Sequence, residues 1–293
     1  MLYLGLDVHS KWFTLAGFDK VTGEFIKVAK VLNDPAAIKD TFAALPTPRS
    51  GVLESGTNAH AMYRLLQPYF DNLVIVAPNQ VWDRRRDTGA KTDARDAYTL
   101  AEELCLGRLR FLYLPDDSLR EYRTLVRGRF QTAQEITRQV NHLYALVRSW
   151  GAPVEKKLLT KGGRSWLDTL MLPEHAALVL RQELDRLDTL MGQELALDAV
   201  IGTIVKTEAI CQLLLTIPCV GPLTALVLRA EIGEISRFAH AGKLISYAGL
   251  DPRVLQSGDH CRFGGLTKHG NASRNTAWQW PAQPAQAAQS SVA

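Results

Sequence analysis

The sequence predicts an α/β N-terminal domain, then a long antiparallel helical hairpin, then a mostly helical C-terminal domain with a helix-hairpin-helix-like turn. Three observations carry that reading. Three β-patterned runs open the chain, strand and helix signals alternate to about residue 110, and two long stretches beyond it have helical apolar spacing.

In order, Leu2–Asp7 is a short apolar run ending in a carboxylate, and Trp12–Phe18 and Gly23–Val31 are runs rich in β-branched and aromatic residues. Thr22-Gly23 supplies the turn between the second and third, so the three form an antiparallel meander. Asp34 caps a helix to about Leu45, with Pro35 at its first position. Val52–Glu54 reads as a strand, Asn58–Phe70 as a helix, Leu73–Ala77 as a strand, and the stretch from Asp93 to Leu106 as a helix. The order β-β-β-α-β-α-β-α is that of the ribonuclease H-like fold, with the later strands parallel to the first. Between Leu119 and Trp150 there is no proline and one glycine, Gly128, and apolar residues recur every three or four positions. Pro173 to Val205 repeats the pattern, which predicts a coiled-coil arm or dimer interface. Leu215–Thr224 has the shape of a helix-hairpin-helix turn, whose Gly221 lets backbone N–H groups face a phosphate. The expected domains are 1–110, 111–208 and 209–275, with a disordered Ala/Gln/Ser-rich tail over 276–293.

Composition excludes several classes. The 293 residues are 46% hydrophobic and 22% charged, ordinary for a globular protein. No apolar run is long enough to cross a bilayer, and the N-terminus has no signal-peptide pattern. Cys105, Cys211, Cys219 and Cys261 form no CxxC pair, which argues against a zinc or disulfide scaffold and fits a reducing cytoplasm. Charge is balanced through residue 200, at 26 basic against 25 acidic side chains. The segment Arg237–Arg274 carries the net +4, so a polyanion partner belongs there.

Four carboxylates stand out. Asp7 and Glu54 end strands, and Asp93 and Asp96 lie three apart in the first turn of a helix, about 5–6 Å apart at Cβ. Each alone is an ordinary turn or helix-dipole residue. In a ribonuclease H-like sheet the ends of strands one and four are neighbours, and the following helix lays its first turn across both. Four converging carboxylates without basic partners call for hard cations. Mg²⁺, or Mn²⁺, takes oxygen ligands, and a pair of ions can clamp a phosphodiester displacement.

These residues and their contexts resemble the insertion-sequence one-ten family of DEDD transposases. Leu4-Gly-Leu-Asp-Val-His-Ser10, Leu53-Glu-Ser-Gly-Thr57, and Pro78-Asn79 with Lys91–Ala97 resemble its three N-terminal motifs. Ile217–Ala225, Arg237–His240, Tyr247–Pro252 and Gln256-Ser-Gly258 resemble its C-terminal transposase domain, so the likeness spans about residues 1–275. It implies a RuvC-like domain with metal ligands Asp7, Glu54, Asp93 and Asp96, and a nucleophilic serine at Ser257. It also implies DNA as substrate, a noncoding guide (bridge) RNA, and assembly as a homodimer or tetramer. Arg253, Arg262, Lys268 and Arg274 would contact phosphates around the serine.

After Gly270-Asn271 the sequence departs from the family pattern and reads like a frameshift or truncation. Three other readings carry distinct expectations. A non-catalytic nucleic-acid-binding remnant would bind without cutting, and a junction-resolving nuclease would need the carboxylates but not Ser257. An actin-like sugar kinase would need a second phosphate loop and a Gly-rich adenosine motif, and neither is found.

Overall fold

The computed structural model describes residues 1–78, 92–152, 159–257 and 260–266, with backbone alone at 29, 253–257, 260–263 and 266. It divides into two compact units, Met1–Leu114 and Pro115–Ala293.

The first unit is built on a five-stranded sheet of β1 (Leu2–Val8), β2 (Trp12–Asp19), β3 (Phe25–Leu32), β4 (Arg49–Glu54) and β5 (Asn72–Val76), in the order β3-β2-β1-β4-β5. The first three strands form the expected antiparallel meander, while β4 pairs parallel to β1 and β5 parallel to β4. Its helices are α1 (Pro35–Ala43), α2 (Ala59–Leu66) and α3 (Asp93–Cys105). Asp34 caps α1 by accepting from the N–H groups of Ala36 and Ala37, as its place before Pro35 predicts. Gly23, at φ 72°, supplies the left-handed residue of the β2–β3 turn.

Strand alternation gives the sheet two apolar faces. Leu2, Leu4, Leu6, Leu53, Leu73 and Ile75 pack with Ile38 and Phe42 of α1 and Met62 and Leu66 of α2. Val52 and Val76 on the opposite face pack with Leu100 and Leu104 of α3. The second face also carries Gly5, where a Cβ would lie 1.7 Å from the Ala97 carbonyl oxygen. The missing side chain is what lets α3 lie directly on β1.

Arg49 anchors this unit. It is 7% exposed, and its guanidinium donates to the carbonyls of Phe42, Leu45, Pro46 and Tyr69. The Phe42 carbonyl belongs to the last turn of α1, where it also accepts from Leu45 N–H at 3.3 Å. Arg49→Met is expected to cost about 3 kcal/mol, because it removes a donor from four largely enclosed carbonyls at once. Urea titration of the variant checks this.

The second unit is helical: α4 (Asp117–Ser149), α5 (Lys161–Asp168), α6 (Glu174–Thr207), α7 (Ala209–Leu215), α8 (Pro222–Ile232) and α9 (Ala241–Ala248). α4 and α6 run in opposite directions, since Arg129 pairs with Glu194 and Asp198 while Gln139 meets Glu183. Ile136, Leu143 and Val147 bury against Leu180 and Leu187 along one part of that contact. At the other, Val126, Ile201 and Val205 share a core with Cys211, Ala225, Leu226 and Ala230, so α7 and α8 pack on the base of the long pair. Buried Glu231 accepts from Arg127 at 2.9 Å, and its carbonyl accepts from Tyr247 Oη at 3.0 Å. Burial pushes the Cys211 thiol up to about 11, which leaves it protonated and unreactive near neutral pH.

Two local features go beyond the sequence reading. The positive-φ residue of the turn before α8 is Cys219, at φ 67°, and Gly221 is the extended N-cap of α8, at φ −91°. The segment read as mostly helical also contains an antiparallel hairpin, β6 (Pro252–Ser257) with β7 (His260–Leu266), in which Ser257 pairs with His260. The expected disorder of residues 276–293 falls outside the described residues.

Candidate metal centre

The open end of β1 is where chemistry-bearing residues collect. Leu6 pairs with Leu53, so the next step along the parallel ladder brings Asp7 beside Glu54. Period-two alternation puts Asp7 on the face of Gly5 and Glu54 on the face of Val52, which is the α3 face. α3 begins there. Thr92 caps it by accepting from Arg95 N–H, and Asp93 and Asp96 occupy its first turn, where the helix dipole favours negative charge. The close approach that Gly5 permits therefore sets the position of the two aspartates against β1.

Asp7 and Asp93 are brought together, and His9 stands between them. His9 Nε2 lies 3.4 Å from an Oδ2 of each. One ligand atom from each of the three lies within 4.8 Å of the others, a grouping able to hold a metal ion. Glu54 and Asp96 are not part of that group. Glu54 lines a cleft of about 360 Å³ with His9, Ser10, Thr57 and Asn58, and Asp96 lies one residue short of a turn along α3, buried. Of the four carboxylates expected from sequence, Asp7 and Asp93 meet within ligand distance, Glu54 borders the adjoining cleft, and Asp96 is buried in the first turn of α3.

His9 was not among the residues singled out from the sequence. The signal was present in Asp7-Val-His9, because positions i and i+2 at a strand end share a face. What the sequence could not give is the ring's place, which the β1–β2 turn fixes. His9 N–H donates to Trp12 O at 2.9 Å, Asn33 Nδ2 donates to His9 O at 2.9 Å, and the imidazole lies 3.9 Å from the Trp12 ring centroid.

Two carboxylates and an imidazole suit a divalent cation chemically. The atomic detail agrees: His9 Nε2 is buried, yet its angles to the neighbouring carboxylates make no hydrogen bond. A cation among the three would satisfy that nitrogen and offset the repulsion between the aspartates.

The remaining expected residues belong to the second unit. Ser257 is the last residue of β6, at the mouth of the hairpin turn. The side chains of Ser257, Arg253 and Arg262, and all of Lys268 and Arg274, lie outside the described residues.

Fold and site together define an α/β domain with an acidic centre suited to a hard cation, joined to a helical unit. Comparison with known proteins gives that class its family. A model described as Transposase, named for the DEDD transposases of IS110, matches residues 4–150, half of the chain. A second, described as Transposase IS116/IS110/IS902 family, matches residues 211–292 and so runs past the point where the recognisable motifs end. The chain belongs to the IS110 family of insertion-sequence transposases.

Relatives agree across most of the length. A probable family 20 transposase of Pseudomonas aeruginosa is 26% identical over 283 residues, covering 93% of this chain and 80% of its own. The transposase for insertion sequence element IS1111A of Coxiella burnetii is 26% identical over 282 residues, covering 93% of this chain and 74% of its own. An IS110 insertion-element protein of Streptomyces coelicolor, described as an uncharacterized 43.6 kDa protein, is 26% identical over 345 residues, covering 90% and 80% respectively. The family is one of DNA-cutting and rejoining enzymes, and no described helix is long and apolar enough to cross a membrane.

Proposed function

We propose that this chain is the recombinase of its insertion sequence, with a RuvC-like, ribonuclease H-like catalytic domain and Ser257 as nucleophile. The observation that carries the reading is the meeting of Asp7 and Asp93 at the end of β1, beside the end of β4 that bears Glu54. Asp7, Glu54, Asp93 and Asp96 are the proposed cation ligands. A bound divalent ion, Mg²⁺ or Mn²⁺, would supply charge neutralisation at a phosphodiester and make a hydroxyl easier to deprotonate.

This chain's own groups do the rest. Attack of Ser257 Oγ on a DNA phosphorus forms a protein–DNA phosphoester; the serine loses its proton and the departing DNA oxygen gains one. The bond so stored lets a second DNA hydroxyl reseal the strand, with release of the serine. Arg253, Arg262, Lys268 and Arg274 are proposed to hold phosphates near the hairpin, in line with the local excess of basic residues. Target choice is proposed to rest on a noncoding guide RNA and the DNA ends of the element, with two or four copies of the chain assembled on them.

The test is a cleavage assay on the element's own end junction, with its flanking RNA and Mg²⁺. Wild type is expected to form a covalent protein–DNA adduct, and Ser257→Ala none. Nicking that survives Ser257→Ala would point to a structure-specific nuclease. Binding without any cleavage would point to a nucleic-acid-binding protein that no longer cuts.

A further inference from the structure

The carboxylates explain a hard-cation site, but they do not explain the imidazole in it. His9 Nε2 is buried and 3.4 Å from the nearest oxygen of both Asp7 and Asp93, without the geometry of a hydrogen bond to either. Both contacts are at ion-pair distance and carry charge only when the imidazole is protonated. Its backbone is pinned through Trp12 O and Asn33 Nδ2, and its face rests on Trp12, so the hairpin presents Nε2 to the acidic pair. A nitrogen held in advance between two carboxylate oxygens is a ligand geometry.

Building on the metal-site reading above, we propose that His9 is a direct nitrogen ligand of the cation held by Asp7 and Asp93, and that it sets which cation the site prefers. All-oxygen sites favour Mg²⁺, which keeps most of its waters and gains little from imidazole. Imidazole binds Mn²⁺, Co²⁺ and Zn²⁺ progressively better along the first-row order. A mixed Asp–His–Asp set therefore turns an otherwise Mg²⁺-like centre toward Mn²⁺ and Co²⁺. The acidic quartet alone predicts no such bias.

The experiment uses the full-length, tag-free protein with Mn²⁺ as the probe, followed by electron paramagnetic resonance. Binding is read from loss of the free-ion signal, and ligand identity from ¹⁴N modulation in the pulsed spectrum. Three variants accompany wild type: His9→Ala, His9→Phe, which keeps a ring against Trp12 and so protects the fold, and Asp7→Asn.

Wild type is expected to show ¹⁴N coupling that both His9 variants lose. They should still bind Mn²⁺ through the carboxylates, but more weakly by at least about tenfold, since even outer-shell partners carry about 10–100-fold. Mg²⁺ affinity, measured by competition, should fall much less. Mn²⁺ bound without ¹⁴N coupling, and unchanged in both His9 variants, would overturn the proposal while leaving the carboxylate site standing. Mn²⁺ binding that survives Asp7→Asn undiminished would remove the carboxylate site itself, and this proposal with it.

Discussion

Asp7→Asn is expected to lower DNA strand cleavage by at least about a thousandfold while leaving the protein folded. Asparagine keeps the shape and removes the charge, so the change isolates the electrostatic role of the side chain. A metal-assisted phosphoryl displacement draws several kcal/mol from its ion, and about 4 kcal/mol corresponds to that thousandfold loss. The same variant separates catalysis from stability. Without divalent ions its unfolding free energy should lie within about 1 kcal/mol of wild type, because Asp7 and its His9 partner are both partly exposed. With Mg²⁺ at about a hundred times its dissociation constant, wild type should gain about 2.7 kcal/mol and the variant almost nothing. Thermal melts with and without a chelator read both effects.

Gly5→Ala is the second large effect, and it acts through packing. The new methyl carbon would lie 1.7 Å from Ala97 O and 3.0 Å from Leu100 Cβ, so either β1 or α3 must move. A backbone oxygen cannot swing aside as a flexible side-chain end can. Overpacking of this severity sits at or beyond the top of the usual range of about 1–3 kcal/mol. Since α3 carries Asp93, its displacement should separate the site and suppress cleavage even in molecules that remain folded. Gly56→Ala is the control. It borders the same cleft but its Cβ would meet nothing within 4 Å, so its stability should change by no more than about 0.5 kcal/mol. Differential scanning calorimetry of the pair, with the cleavage assay alongside, distinguishes steric displacement from mere proximity to the site.

Much of the first unit was legible from local signals. Asp34-Pro35 marks a helix start, Thr22-Gly23 a hairpin turn, and the apolar run Leu2–Asp7 a strand; each is a short-range rule, and the structure follows each. The places of the acidic residues on the elements were also legible, with Asp7 and Glu54 near strand ends and Asp93 and Asp96 in a first helical turn. What stayed hidden depends on the third dimension. His9 became part of the centre only through the register of β1 on β2, and Arg49 became an anchor only once the α1 C-terminus and the residues before α2's partner strand converged on it. Gly5 acquires its role only from the close packing of α3 on β1. The β6–β7 hairpin was missed because its apolar alternation is short and interrupted by arginine, glutamine and histidine.

The most direct test of the acidic centre is anomalous diffraction from crystals of the full-length protein grown with Mn²⁺. A manganese peak bonded to Asp7 and Asp93 at the end of β1, with His9 Nε2 in its coordination shell, is the predicted result. Ordered Asp7 and Asp93 side chains with no peak between them, in crystals of protein that cleaves DNA in solution, would contradict it.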